Sequence, residues 1–64
     1  MKKTYITEDS FGSMLPDNWE IAAAVMNEKI DALPDDADRD DLDAIWEAYC
    51  AGEYDAEIAE REAE

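Results

Sequence analysis

The sequence predicts a mainly α-helical fold: two principal amphipathic helices, a short C-terminal helix, and an N-terminal extended segment open to a strand assignment. A small α+β arrangement is the alternative. Three observations carry the expectation. Apolar residues recur at helical spacing in two stretches, Trp19 to Leu33 and Leu42 to Cys50. Pro34 and a run of aspartates part those stretches. Hydrophobic residues make up 47% of the chain, with two Trp, three Tyr and one Phe, which acidic disordered tails usually lack. With 64 residues, positions 1–64 are expected to form one small acidic domain.

Taken in order, Lys3 to Thr7 holds Thr, Tyr and Ile and reads as extended, yet no Asn-Gly or Asp-Gly turn follows to define a hairpin partner. Ser10 to Pro16 contains Gly12 and Pro16 and reads as a connection. Asp17 has the look of an N-cap, with Glu20 three residues on as the other half of a capping box, so a helix is expected from Asn18 to about Leu33. Trp19, Ala22, Ala23, Met26, Ile30 and Leu33 form its core stripe. Ile21, Val25 and Ala32 fall nearly opposite, about 200° to 240° from Trp19 at 100° per residue, and need a cover. The N-terminal segment, through Tyr5 and Ile6, or a second copy of the chain would supply it, leaving monomer and homodimer both open.

Pro34 ends this helix, and Asp38 is the expected cap of the next. There Leu42, Ile45, Trp46, Tyr49 and Cys50 follow i, i+3, i+4, i+7, i+8, which predicts an apolar face with Cys50 as an inert buried thiol. Gly52 suits the left-handed position beyond a helix end. A short third helix from about Tyr54 would turn Tyr54 and Ile58 inward.

Charge narrows the function classes. Nineteen acids against five bases give a net charge of −14, which opposes direct binding to nucleic acid or anionic membrane and points to a basic partner. The acids concentrate late: residues 34–64 hold thirteen acids and two bases, residues 1–33 six and three. There is no His, which removes His-based acid/base chemistry, Ser-His and Cys-His nucleophiles and His-containing zinc sites. A single Cys makes no internal disulfide, and the apolar run from Ile21 to Met26 is too short for a membrane span. No apolar run near the start serves as a signal peptide, so the cytoplasm is the expected location. Neither a cofactor nor catalysis is expected, since so small a chain offers little room for a substrate cleft.

The acids fall into patterns. Asp40, Asp43 and Glu47, at i, i+3, i+7, lie beside the apolar stripe of the second helix, and Glu53, Glu57, Glu60 and Glu64 make a row at i, i+4, i+7, i+11 on the third. Neighbours so spaced sit roughly 5 to 6 Å apart, where a like-charged pair costs on the order of 0.7 kcal/mol in water before screening. Solubility alone asks for a net charge of magnitude about 2 to 8. The bland explanation is a solvated helix face in an acidic proteome; the sharp one is imitation of DNA, which carries one charge per roughly 1.7 Å of duplex axis. The residues expected to meet a partner are Asp35, Asp36 and Asp38 in the loop, Asp40, Asp43 and Glu47 on the second helix, and Glu53, Glu57 and Glu60 on the third. Asp36, Asp38, Asp40 and Glu47 also match positions of an EF-hand loop, but Asp41 stands where the turn demands Gly, and the helical pattern begins at Leu42 inside the would-be loop.

In size, acidity and lack of catalytic residues, carried by Asp35 to Glu64, the chain resembles the small phage-encoded inhibitors of bacterial defence, the anti-CRISPR and antirestriction proteins, several of which are DNA mimics. The resemblance is to a class of many folds and transfers no residue roles. It implies a non-enzymatic inhibitor in the cytoplasm of a bacterial host that occludes the DNA-binding groove of a CRISPR effector or restriction complex, its partner being a basic DNA-binding protein or nucleoprotein effector. The alternative is a small acidic adaptor or antitoxin-like module that binds a basic protein through the Ile21 and Val25 stripe.

Overall fold

A computed structural model describes residues 3–63. It contains four α-helices: α1 (Glu8–Phe11), α2 (Trp19–Asp31), α3 (Arg39–Cys50) and α4 (Asp55–Glu62), with a 3-10 turn at Gly12–Met14. There is no strand among the described residues. Helix α2 is the centre of the fold, and α3 and α4 both pack on it. One hydrophobic core results, built from Phe11, Ala22, Ala23, Val25, Met26, Ile30, Ile45 and Ile58.

The N-terminal segment, residues 3–7, forms no strand, and it pairs with a side chain instead. Asn27 on α2 offers its amide to the backbone of Ile6: the Ile6 N–H donates to Asn27 Oδ1 at 2.7 Å, and Asn27 Nδ2 donates to the Ile6 carbonyl at 3.1 Å. This satisfies both backbone groups of a half-buried residue, the role a neighbouring strand would otherwise play. Further along α2, Lys3 Nζ donates to the Asp31 carbonyl at 3.0 Å, and the Tyr5 hydroxyl donates to the Asp31 carboxylate.

The connection expected over Ser10 to Pro16 is partly helical. Thr7 and Ser10 close the first turn of α1, Thr7 N–H donating to Ser10 Oγ at 3.1 Å and Ser10 N–H to the Thr7 carbonyl at 3.0 Å. The turn drives Phe11 into the core, where it is 6% exposed and meets Trp19, Trp46 and Tyr49 edge-on, at centroid distances of 6.4, 5.4 and 6.0 Å. Gly12, at φ +59°, then takes a backbone conformation that a residue with a Cβ resists.

At α2 the expected Asp17 and Glu20 capping box does not form. Asn18 occupies the cap position, because the Trp19 N–H turns back to the Pro16 carbonyl at 3.1 Å and draws Asp17 into the preceding turn. The core stripe is as expected: Ala22, Ala23, Met26 and Ile30 are buried, and Trp19 and Leu33 pack against them. The opposite stripe is covered by α4, not by Tyr5 and Ile6 or by a second copy. Glu28 pairs with Arg61, and Lys29 Nζ lies 3.3 Å from Glu57 Oε1; Glu28 and Lys29 flank the line of Val25 on the helix, so α4 lies across it. Val25 is accordingly 0% exposed and Ile21 half-buried, while Ala32, at the helix end, stays exposed.

Helix α3 begins where the sequence places it. Asp38 caps it, accepting from the Asp41 N–H at 3.2 Å, and Asp41 returns the bond by accepting from the Asp38 N–H at 3.2 Å. Ile45 is buried, with Leu42, Trp46 and Tyr49 packed against the core. Cys50 is exposed rather than buried. Five residues at 100° each put it about 140° from Ile45, past the edge of the buried face. Gly52, at φ +85°, ends α3 in a Schellman motif: its N–H reaches the Tyr49 carbonyl, and the Glu53 N–H the Ala48 carbonyl, both at 3.0 Å. Helix α4 follows, with Ile58 buried and Tyr54 packed inward.

Candidate functional site

The structure sorts the nine expected partner-facing acids by what their carboxylates already do. Asp38 is spent on the α3 cap. Glu57 is half-buried and tied to Lys29, whose ammonium also lies 5.6 Å from the centre of the Tyr54 ring. Glu53 lies in the turn before α4 rather than on it, because the Schellman motif at Gly52 separates it from the helix. The expected row on α4 is therefore broken, leaving Glu57 and Glu60 as neighbours; Glu64 lies outside the described residues. Asp35 and Asp36 are exposed in the turn between α2 and α3, and Glu60 is exposed on α4.

Asp40, Asp43 and Glu47 remain together as expected. All three are exposed on α3 and share the face that points away from Ile45. At about 1.5 Å rise per residue, they are separated along the axis by roughly 4.5 and 6 Å; phosphates follow one another at about 3.4 Å along one DNA strand. Both described ion pairs join α2 to α4, so neither places a cation against this row. Between residues 35 and 50 the chain carries seven acids and one base, Arg39. Negative charge is thus dense along α3 and the turn leading into it, as it also is over residues 53–64, which carry six acids and one base, Arg61.

No family model, curated protein or solved structure matches this chain.

Two hollows open on the surface, and their linings share no residue. The first, about 540 Å³, lies between α2 and α4 and is lined by Glu20, Ile21, Ala24, Glu57, Glu60 and Arg61. The second, about 520 Å³, lies between the N-terminal segment and α3; Tyr5, Ile6, Ile30, Leu42 and Trp46 are among its apolar and aromatic walls, and Arg39 and Asp43 also line it. Asp43 thereby belongs both to the acidic row and to this second hollow. Asp43 lines the second hollow, and Glu57 and Glu60 line the first.

The groups with displaced proton affinities lie away from the row. The Arg61 guanidinium, hydrogen-bonded to Glu28, holds that carboxyl below its ordinary value. Donation to Asp31 pushes the Tyr5 phenol up, and burial does the same for Tyr49, reinforced by Cys50 and Asp55. Among the described residues no three Asp, Glu or Cys side chains gather in a way that holds a metal ion. The EF-hand-like segment is helical from Arg39 onward, with Asp38 engaged at the cap. No helix among the described residues is long and apolar enough to cross a membrane.

Periodicity found the α3 row but missed the second hollow. Arg39, Leu42 and Trp46, at i, i+3, i+7, do share one helix face, a signal present in the sequence. The opposite wall rests on the Asn27 clamp, for which no local pattern exists.

Proposed function

We propose that the protein is a non-enzymatic inhibitor that occupies the basic DNA-binding groove of a CRISPR effector or restriction complex, presenting the acidic face of α3 in place of DNA phosphates. The observation that supports this most is the exposure of Asp40, Asp43 and Glu47 together on one capped helix, with both described ion pairs joining α2 to α4. A groove lined with Lys and Arg gains by neutralising a polyanion and releasing its counterions, and a rigid row of carboxylates presents similar chemistry. Rigidity matters, because acids on a disordered tail would have to be ordered at the moment of binding. The mechanism is steric and electrostatic, and it works in the cytoplasm of a bacterial host.

Of the stripe that the adaptor reading uses, Val25 is buried, and Ile21 is half-buried in the lining of the hollow between α2 and α4. The test is inhibition of DNA cleavage by purified guide-loaded CRISPR effectors and restriction endonucleases. Inhibition should be relieved by added substrate DNA and should weaken between about 50 and 200 mM salt, as phosphate recognition does. Inhibition indifferent to DNA concentration and to salt would overturn the proposal.

A further inference from the structure

The hollow between the N-terminal segment and α3 is placed where a contact by charge alone would gain specificity. Its walls come from two parts of the chain: Tyr5 and Ile6 on one side, Leu42 and Trp46 on the other. The Asn27 amide fixes the first wall through both backbone groups of Ile6, and α3 fixes the second, so the hollow exists without a ligand to hold it open. Tyr5 is 44% exposed and Trp46 only partly covered, so aromatic surface is available at its mouth. Asp43 ties this apolar surface to the acidic row, with Asp40 one turn before it and Glu47 one turn after.

We propose that this hollow receives an aliphatic side chain from a basic segment of a protein partner, whose flanking Lys or Arg residues pair with the α3 row. Charge complementarity selects the occupant. A second copy of the chain would bring another net charge of −14 against the same acids, whereas an apolar residue between cations satisfies floor and rim together. A buried anchor ringed by polar contacts is also how protein interfaces concentrate binding energy. The inference rests on the reading of α3 as the partner-facing surface and adds to it what the partner must present: an apolar anchor within its basic groove, which DNA lacks.

The probes are short synthetic peptides, acetyl-Lys-Lys-Leu-Lys-Lys-amide, its counterpart with Ala in place of Leu, and a third with Leu flanked by Glu. They are titrated into the isotope-labelled protein and followed by NMR at the Trp46 indole N–H and the Ile6 and Leu42 methyl groups. The Leu peptide should shift these signals saturably and bind about tenfold or more tightly than the Ala peptide, while the Glu-flanked peptide should not bind. Thr4→Trp, at an exposed position in the lining of the hollow, should abolish the preference for Leu over Ala while leaving the melting temperature near wild type. Equal binding of the Leu and Ala peptides at α3 would overturn the anchor while leaving the acidic face as a docking surface. No binding of any basic peptide at α3 would overturn both. Seating of the Leu peptide at Ile21 and Ala24, or peptide-independent shifts that grow with protein concentration and report a second copy, would also overturn the assignment.

Discussion

Replacing Phe11 with Ala should remove about a third or more of the stability of this domain. The ring is 6% exposed and is contacted edge-on by Trp19, Trp46 and Tyr49, so it joins α1 to both principal helices. Truncating a buried Phe to Ala typically costs about 3–5 kcal/mol, and each aromatic pair adds about 0.5–1.5 kcal/mol beyond area burial. Since α1 is only four residues long and can relax, the lower end, about 3 kcal/mol, is expected. At about 0.05–0.15 kcal/mol per residue, the whole domain holds roughly 3–10 kcal/mol. The loss corresponds to a fall in melting temperature of about 12–24 °C, taking about 4–8 °C per kcal/mol for a domain of this size. Urea unfolding followed by Trp fluorescence measures it, with Phe11→Leu as a control expected to cost less than Phe11→Ala because it keeps part of the buried volume. A cost below about 1 kcal/mol for Phe11→Ala would show that α1 does not dock as described.

Four further outcomes follow from the contacts and the charge. Asn27→Ala orphans the Ile6 N–H and carbonyl together and should cost about 1–3 kcal/mol, with hydrogen exchange at Ile6 accelerated; unchanged exchange there would contradict the clamp. Raising salt from about 10 to 300 mM should raise the melting temperature, because screening of fourteen net negative charges outweighs the weakening of two partly exposed ion pairs; a flat response would mean that the acids are internally compensated. Glu28 titrates lower in the folded state than unfolded, so its stabilisation is present above the unfolded value near 4.5 and is lost as pH falls through the folded value; Arg61→Gln should return its NMR titration toward the ordinary range. Tyr5 has the opposite sign, its contribution being present below its ordinary value near 10 and lost as pH rises through the raised one, a change that phenolate absorbance reports.

The parts of the fold legible in the sequence are those encoded by local periodicity and capping. Leu42, Ile45, Trp46 and Tyr49 announce α3, Asp38 its start and Gly52 its end, and each does so through chemistry confined to one or two helical turns. What was hidden depends on partners remote in sequence. Nothing near Phe11 tells that a four-residue helix will deliver it to Trp46, and nothing near Ile6 tells that Asn27, twenty-one residues on, will serve it as a strand. The cover over Val25 was hidden for the same reason, because it required placing α4 against α2. At the candidate site the spacing rule located Asp40, Asp43 and Glu47, but it could not distinguish acids that face solvent from those the fold consumes. Asp38 as a cap and Glu57 as the partner of Lys29 look identical in sequence to Asp40 and Glu60.

That distinction sets the decisive experiment. Asp40→Asn, Asp43→Asn and Glu47→Gln together take the net charge from −14 to −11 while preserving shape and leaving the Asp38 and Asp41 cap intact. Competition is measured by the fluorescence anisotropy of a labelled DNA duplex on an effector that the wild-type protein inhibits, with circular dichroism confirming that the variant is folded. Wild-type protein should displace the DNA competitively, and the triple variant should need at least about tenfold more protein, a loss of 1.4 kcal/mol or more in binding. A folded triple variant that displaces DNA at wild-type potency, or a ternary complex in which protein and DNA are bound together, would contradict the account.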